Sequence, residues 1–104
     1  MNSLTDETFL KAIQSGPCLV KFSAPWCQPC KTLTPILQSV EEKTQIPIFE
    51  INVDENPETA QTLGIRALPT VMAFNAGLMI GVPLVGSRPA EAYIALAGEA
   101  KSRQ

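Results

Sequence analysis

Apolar residues in this chain follow two rhythms, short continuous runs and stripes at helical spacing, and their order predicts the architecture. Thr5-Asp6-Glu7-Thr8 followed by Phe9, Leu10 and Ile13 predicts a short capped helix, with Thr5 as N-cap and Thr8 where a capping box would carry Glu; Ser15-Gly16-Pro17 ends it. Cys18 to Ser23 is a nearly continuous apolar run of strand length, the pattern of a central strand buried on both faces. From Cys27 onward, Leu33, Ile36, Leu37 and Val40 recur at helical spacing around Pro35, which removes one backbone bond and should kink the helix. Ile46 to Val53 predicts a second buried strand, bounded by Asp54-Glu55-Asn56-Pro57. A short helix over Glu58 to Leu63 follows and stops at Gly64. Thr70 to Phe74 is a third strand, Asn75-Ala76-Gly77 a turn, and Leu78 to Val85 a fourth strand that Pro83 marks as an edge. Ala90 to Lys101, with Tyr93, Ile94 and Leu96 on an apolar stripe, predicts a C-terminal helix. The sum is a βαβ unit, a hairpin and a helix, an α/β sandwich.

Composition narrows the classes of function. At 104 residues and 45% hydrophobic, residues 1–104 are expected to fold as one domain with a core that needs no metal or second disulfide. Net charge is −2 and the charges are scattered, which leaves no footprint for nucleic acid or an anionic membrane. The N-terminal segment has neither a basic n-region nor an apolar h-region, and no run approaches transmembrane length; a cytoplasmic monomer is expected.

The candidate chemistry sits in Trp26-Cys27-Gln28-Pro29-Cys30, between the first buried strand and the long helix. A thiol at a helix start faces unpaired backbone N–H groups and the positive end of the macrodipole, so Cys27 is expected to ionise and act as nucleophile. Cys30 lies one turn on, within reach of the first sulfur, and can resolve a mixed disulfide. Pro29 is tolerated in a first turn. Three other readings stand beside this one: half of a zinc site, two buried thiols, or a purely structural disulfide. Zinc lacks ligands, because the chain has no His and one further cysteine, Cys18. Cys18 itself, heading an apolar strand, reads as a small core hydrophobe without a function.

Phe22, Ala24-Pro25-Trp26-Cys27-Gln28-Pro29-Cys30-Lys31, Pro35, Asn52-Val53-Asp54, Gly64-Ile65-Arg66-Ala67-Leu68-Pro69-Thr70 and Gly86 together resemble the thioredoxin family, in order and spacing, over essentially the whole chain. The resemblance implies a central mixed sheet of four to five strands flanked by helices on both faces, the first strand short or missing before Leu4. It implies catalysis of thiol–disulfide exchange, the reduction of protein disulfides, with no bound cofactor and no metal. It further implies a cis Leu68–Pro69 bond, with Leu68 lending backbone groups to an extended substrate. Trp26, Gln28, Pro29, Ala67, Leu68, Pro69, Val85 and Gly86 are then the substrate-contacting residues. Val53 joins the apolar patch, and both Val53 and Val85 fit simple core packing equally well. The expected electron donor is a flavoenzyme of the thioredoxin reductase type.

Three departures from the family pattern bear on mechanism. Gln28 stands where Gly is usual between the cysteines, and Ser23 stands where an aromatic is common, thinning the patch beside Trp26. Lys21 and Glu50 occupy the places of a buried Asp and a Lys, so the resemblance implies the same pair with its signs exchanged, Glu50 inheriting the role of base and Lys21 favouring a nearby thiolate. The bland alternative is that both long side chains reach the surface. A disulfide oxidase or isomerase, and a binding module using the Leu68-Pro69 groove, are the rival functions.

Overall fold

Alternation along the strand Cys18–Ser23 sends Leu19, Lys21 and Ser23 to one face of a sheet and Cys18, Val20 and Phe22 to the other, and the whole run is buried. In the computed structural model, which describes residues 1–102, this strand is β2 of nine elements. Residues 103 and 104 of the expected domain lie outside the described residues. The elements run β1 (Asn2–Leu4), α1 (Phe9–Ile13), β2 (Cys18–Ser23), α2 (Gln28–Thr44), β3 (Ile48–Asn52), α3 (Pro57–Thr62), β4 (Thr70–Asn75), β5 (Leu78–Val85) and α4 (Ala90–Ser102).

The sheet order is β1-β3-β2-β4-β5. β1, β3 and β2 are parallel, and β4 and β5 close the sheet antiparallel. This is the mixed five-stranded sheet expected, and its first strand is short and present. On one face Leu19, Val71 and Ala73 pack against Leu33, Leu37 and Val40 of α2 and Tyr93, Leu96 and Ala97 of α4. On the other, Val20, Phe22, Ile51, Met72 and Phe74 pack against Phe9 and Ile13 of α1. Phe9 meets Phe74 edge-on at 5.6 Å between centroids.

Several local expectations are corrected. α1 begins after Thr8 rather than Thr5, and its cap makes no side-chain bond. The Thr5–Thr8 segment is instead a turn: Thr5 N–H donates to Thr8 Oγ1 at 2.9 Å, and Phe9 N–H donates to Thr5 O at 3.0 Å. β3 spans Ile48–Asn52, shorter than Ile46 to Val53, and only Ile48 and Ile51 in it are buried. Its neighbour β1 has three residues and pairs with Phe49, Glu50 and Ile51. Pro35 does lie inside α2, as expected, and Gln45 ends that helix in the left-handed region at φ 60°. Pro83 does lie on an edge strand, where a bulge opposite Met72 accommodates Gly81 and Pro83.

Candidate active site

The turn from β2 into α2 builds the reactive centre. Cys27 is the N-cap of α2, in extended conformation at φ −89°, and its sulfur accepts a hydrogen bond from Cys30 N–H at 3.3 Å. The two cysteines form a disulfide with Cα atoms 5.3 Å apart. Both are buried, while Gln28 and Pro29 between them are exposed. The residue before Cys27 is held from outside: Trp26, 69% exposed, donates its indole N–H to Asp54 Oδ2 at 2.8 Å. Asp54 is in turn placed by its own N–H bond to Asn52 Oδ1 at 2.9 Å.

Part of the expected substrate surface lines two adjoining hollows, while Gln28, Pro29, Pro69 and Gly86 line neither. Trp26, Val53 and Leu68 share one of about 260 Å³. Ala67 and Val85 share another of about 330 Å³. Ile65 and Arg66 line both, and neither had been assigned a role from the sequence. The Leu68–Pro69 bond is cis. Gly86, at φ +81°, donates its N–H to Pro69 O at 2.8 Å, so the two residues meet directly. Ser23 is not beside Trp26 in this patch, and the expectation that it thins the patch is corrected: its side chain turns to the α2 face of β2 and donates to Glu50 Oε2 at 2.9 Å.

Beneath the cysteines lies a charged network. Lys21 and Glu50 are register partners on parallel β2 and β3 and point to the same face. Lys21 is 1% exposed, and its ammonium uses three acceptors: Cys30 O at 2.7 Å, Thr34 Oγ1 at 2.8 Å and Glu50 Oε2 at 3.0 Å. The surface alternative therefore fails for Lys21. Glu50 keeps a third of its side chain accessible and lines a cavity of about 370 Å³ together with Lys21, Ser23, Cys30 and Asn52. Thr34 was not foreseen; its place one turn after Cys30 was the available signal. Cys18 packs in the opposite layer, where burial pushes its thiol up to about 11. Among the described residues no three His, Cys, Asp or Glu side chains cluster as metal ligands, and no helix is long and apolar enough to cross a membrane.

What this surface offers to chemistry is one bond, a disulfide joining a helix N-cap to the next turn, which two electrons open and close. A chain built around such a bond belongs, in class, with the thiol–disulfide oxidoreductases.

The comparisons with known proteins fix the family. Residues 1–98 match the family model described as Thioredoxin. The thioredoxin of Rickettsia felis is 42% identical over 80 residues, 73% of this chain and 76% of that one. The thioredoxin of Alicyclobacillus acidocaldarius is 40% identical over 92 residues, 86% of this chain and 87% of its own. Among solved structures, chloroplastic thioredoxin z superposes with a TM-score of 0.85 at 26% identity, covering 99% of this chain and 96% of that one. A chain from a study of thiol resolution in yeast mitochondrial 1-Cys peroxiredoxin through glutathione/thioredoxin systems gives 0.84 at 25% identity, with 94% of each chain covered. This chain belongs to the thioredoxin family. Its activity is accordingly that of a thiol–disulfide oxidoreductase, a protein disulfide reductase, with Cys27–Cys30 as the redox-active disulfide.

Proposed function

We propose that Cys27 is the nucleophile and Cys30 the resolving thiol of a dithiol cycle acting on protein disulfides. The observation that carries this assignment is the position of Cys27 at the N-cap of α2, where the helix dipole and free N–H groups favour a thiolate. Cys27 thiolate attacks one substrate sulfur, forming a mixed disulfide and releasing the other substrate sulfur as thiolate. Cys30, deprotonated, then attacks Cys27 Sγ, closing Cys27–Cys30 and freeing the second substrate thiol. The substrate gains two electrons and two protons, and the protein loses them. Glu50 is proposed as the base for the Cys30 proton, acting across the cavity both residues line, with Lys21 holding Glu50 and the Cys30 carbonyl in place.

Trp26, Gln28, Pro29, Ala67, Leu68, Pro69, Val85 and Gly86 are proposed to receive the substrate chain. Support comes from the hollows beside Trp26 and Val85 and from the exposed backbone run ending at the cis bond. We further propose that residues 1–104 act as one domain and monomer in the cytoplasm. Recycling falls to a flavoenzyme of the thioredoxin reductase type, the donor that family membership makes reasonable. Cys30→Ser tests the assignment: reduced and then challenged with a substrate disulfide, it should accumulate a mixed disulfide through Cys27, which Cys27→Ser should not. Adduct on Cys30 in Cys27→Ser at equal yield would reverse the two roles.

One observation favours a second reading within the class. The buried ammonium of Lys21 on the Cys30 carbonyl stabilises a thiolate nearby, and a stabilised reduced form makes a stronger oxidant. The equilibrium potential against glutathione separates the two: a value near about −270 mV, general to thioredoxin, supports a reductant, and one near roughly −120 mV supports an oxidant.

A further inference from the structure

The apolar stripe of α4 asks only for a hydrophobic side chain at position 93, yet a tyrosine stands there, fully buried in the layer between the sheet and α2. A buried phenol oxygen must find partners. Tyr93 Oη finds both of them in one turn: it accepts the Arg88 N–H at 3.0 Å and donates to the Gly86 carbonyl at 3.3 Å. Gly86 is the residue whose N–H holds the Pro69 carbonyl at 2.8 Å, and it follows directly on Val85, the ladder partner of Thr70.

One hydroxyl thus fastens both ends of the Gly86–Arg88 turn to the core, and the first residue of that turn fastens the proline of the groove. We infer that Tyr93 is a positioning residue for substrate selection. It fixes Gly86, Gly86 fixes Pro69, and the backbone beside Pro69 is thereby presented in register to an extended polypeptide. A small disulfide needs the sulfurs alone and is indifferent to that register. The device therefore sets the preference of this chain for polypeptide disulfides over small ones. The inference rests on the proposed reading that the Ala67–Pro69 segment and Gly86 receive the substrate chain.

The experiment compares kcat/KM for insulin with that for dithiobis(nitrobenzoate), in wild type, Tyr93→Phe and Ala67→Arg. Tyr93→Phe keeps the ring and deletes the two hydrogen bonds. Its insulin-to-small-disulfide ratio is expected to fall about fivefold, carried by KM, a change of about 1 kcal/mol. Ala67→Arg, which fills the groove directly, is expected to lower the same ratio. A lowered ratio in Ala67→Arg with an unchanged ratio in Tyr93→Phe overturns the inference and leaves the groove reading standing. An unchanged ratio in Ala67→Arg removes the groove reading and the inference with it. Should Tyr93→Phe fail to fold, amide exchange in the wild type decides: Arg88 N–H protected like the β4 amides supports the fastening, and exchange at the rate of an open loop overturns it.

Discussion

Lys21 Nζ stands 2.7 Å from Cys30 O and 3.0 Å from Glu50 Oε2, so one buried cation joins the turn carrying the second cysteine to a carboxylate on the next strand. The joint is a consequence of register. Parallel pairing puts Lys21 opposite Glu50, and the alternation of β2 aims both at the underside of α2. A charge in that position is tolerated only because all its donors are used, by a carbonyl, a hydroxyl and a carboxylate.

The pair is unequal, and stability should report the inequality. Lys21 is 1% exposed and Glu50 a third exposed. Glu50→Ala leaves an ammonium buried without its anion and is expected to cost about 3 kcal/mol. Lys21→Met leaves a carboxylate that water can reach and that Ser23 still bonds, so screening reduces the loss to about 1–2 kcal/mol. Urea unfolding at pH 7 measures both; equal losses, or a larger one for Lys21→Met, would contradict this account of the site.

Cys18 should behave as an inert thiol. Burial raises its pKa to about 11, so almost none is thiolate at pH 8. In the reduced protein, iodoacetamide at pH 8 is expected to label Cys27 at least about a hundredfold faster than Cys18. Peptide mapping of a time course checks the order, and Cys18 labelling in step with Cys27 would show that the Phe9–Phe74 layer opens far more readily than its packing allows.

What could be read from the chain was local. β2, the long helix and the cysteine pair depend on residues within a turn or a strand of one another, and the patterns of Cys18–Ser23 and Leu33–Val40 carried them. Thr5 does not cap α1 because it closes a turn with Thr8 instead, and the neighbouring Asp6 carboxylate accepts Thr59 N–H at 2.9 Å and the Thr59 hydroxyl at 2.6 Å, at the start of a helix over fifty positions away. The Ser23–Glu50 and Tyr93–Gly86 bonds were equally hidden. Hydropathy tells which face a residue takes and is silent on which hydroxyl meets which acceptor across elements. Lys21 was legible as a problem, a charge in a buried strand, and the neighbouring strand supplied the answer.

Asp6 ties acid stability to α3. Desolvation pushes its carboxyl up, but the bonds from Thr59 Oγ1, Thr59 N–H and Glu58 N–H together outweigh that and hold it below its ordinary value. A carboxyl lowered by folding stabilises the native state above the unfolded pKa, near about 4, and that contribution is lost as pH falls through the lower native value. Asp6→Asn should therefore melt below the wild type at pH 7, and the gap between the two melting temperatures should close as the pH falls below the unfolded value and through the lower native one. A gap that stays constant from pH 7 to acid would mean that the charge on Asp6 does not matter to α3.

The proton on Cys30 provides the sharpest test of Glu50. Release of product requires Cys30 as thiolate, yet its thiol is buried, the Lys21 ammonium on its carbonyl is already committed to three acceptors, and Glu50 lines the same cavity as Cys30. Such a cavity, at about 370 Å³, admits water that can carry the proton to Glu50. Glu50→Gln keeps the shape and removes the base. Resolution of the mixed disulfide, followed by stopped flow, should slow about a hundredfold near pH 7, the usual scale for losing a positioned base. Hydroxide can replace a missing base, so the deficit should shrink steadily toward about pH 9 while attack by Cys27 changes little. If resolution in Glu50→Gln matches the wild type across that range, Glu50 has no part in proton transfer, and Lys21 alone, by stabilising the thiolate, must account for the reactivity of Cys30.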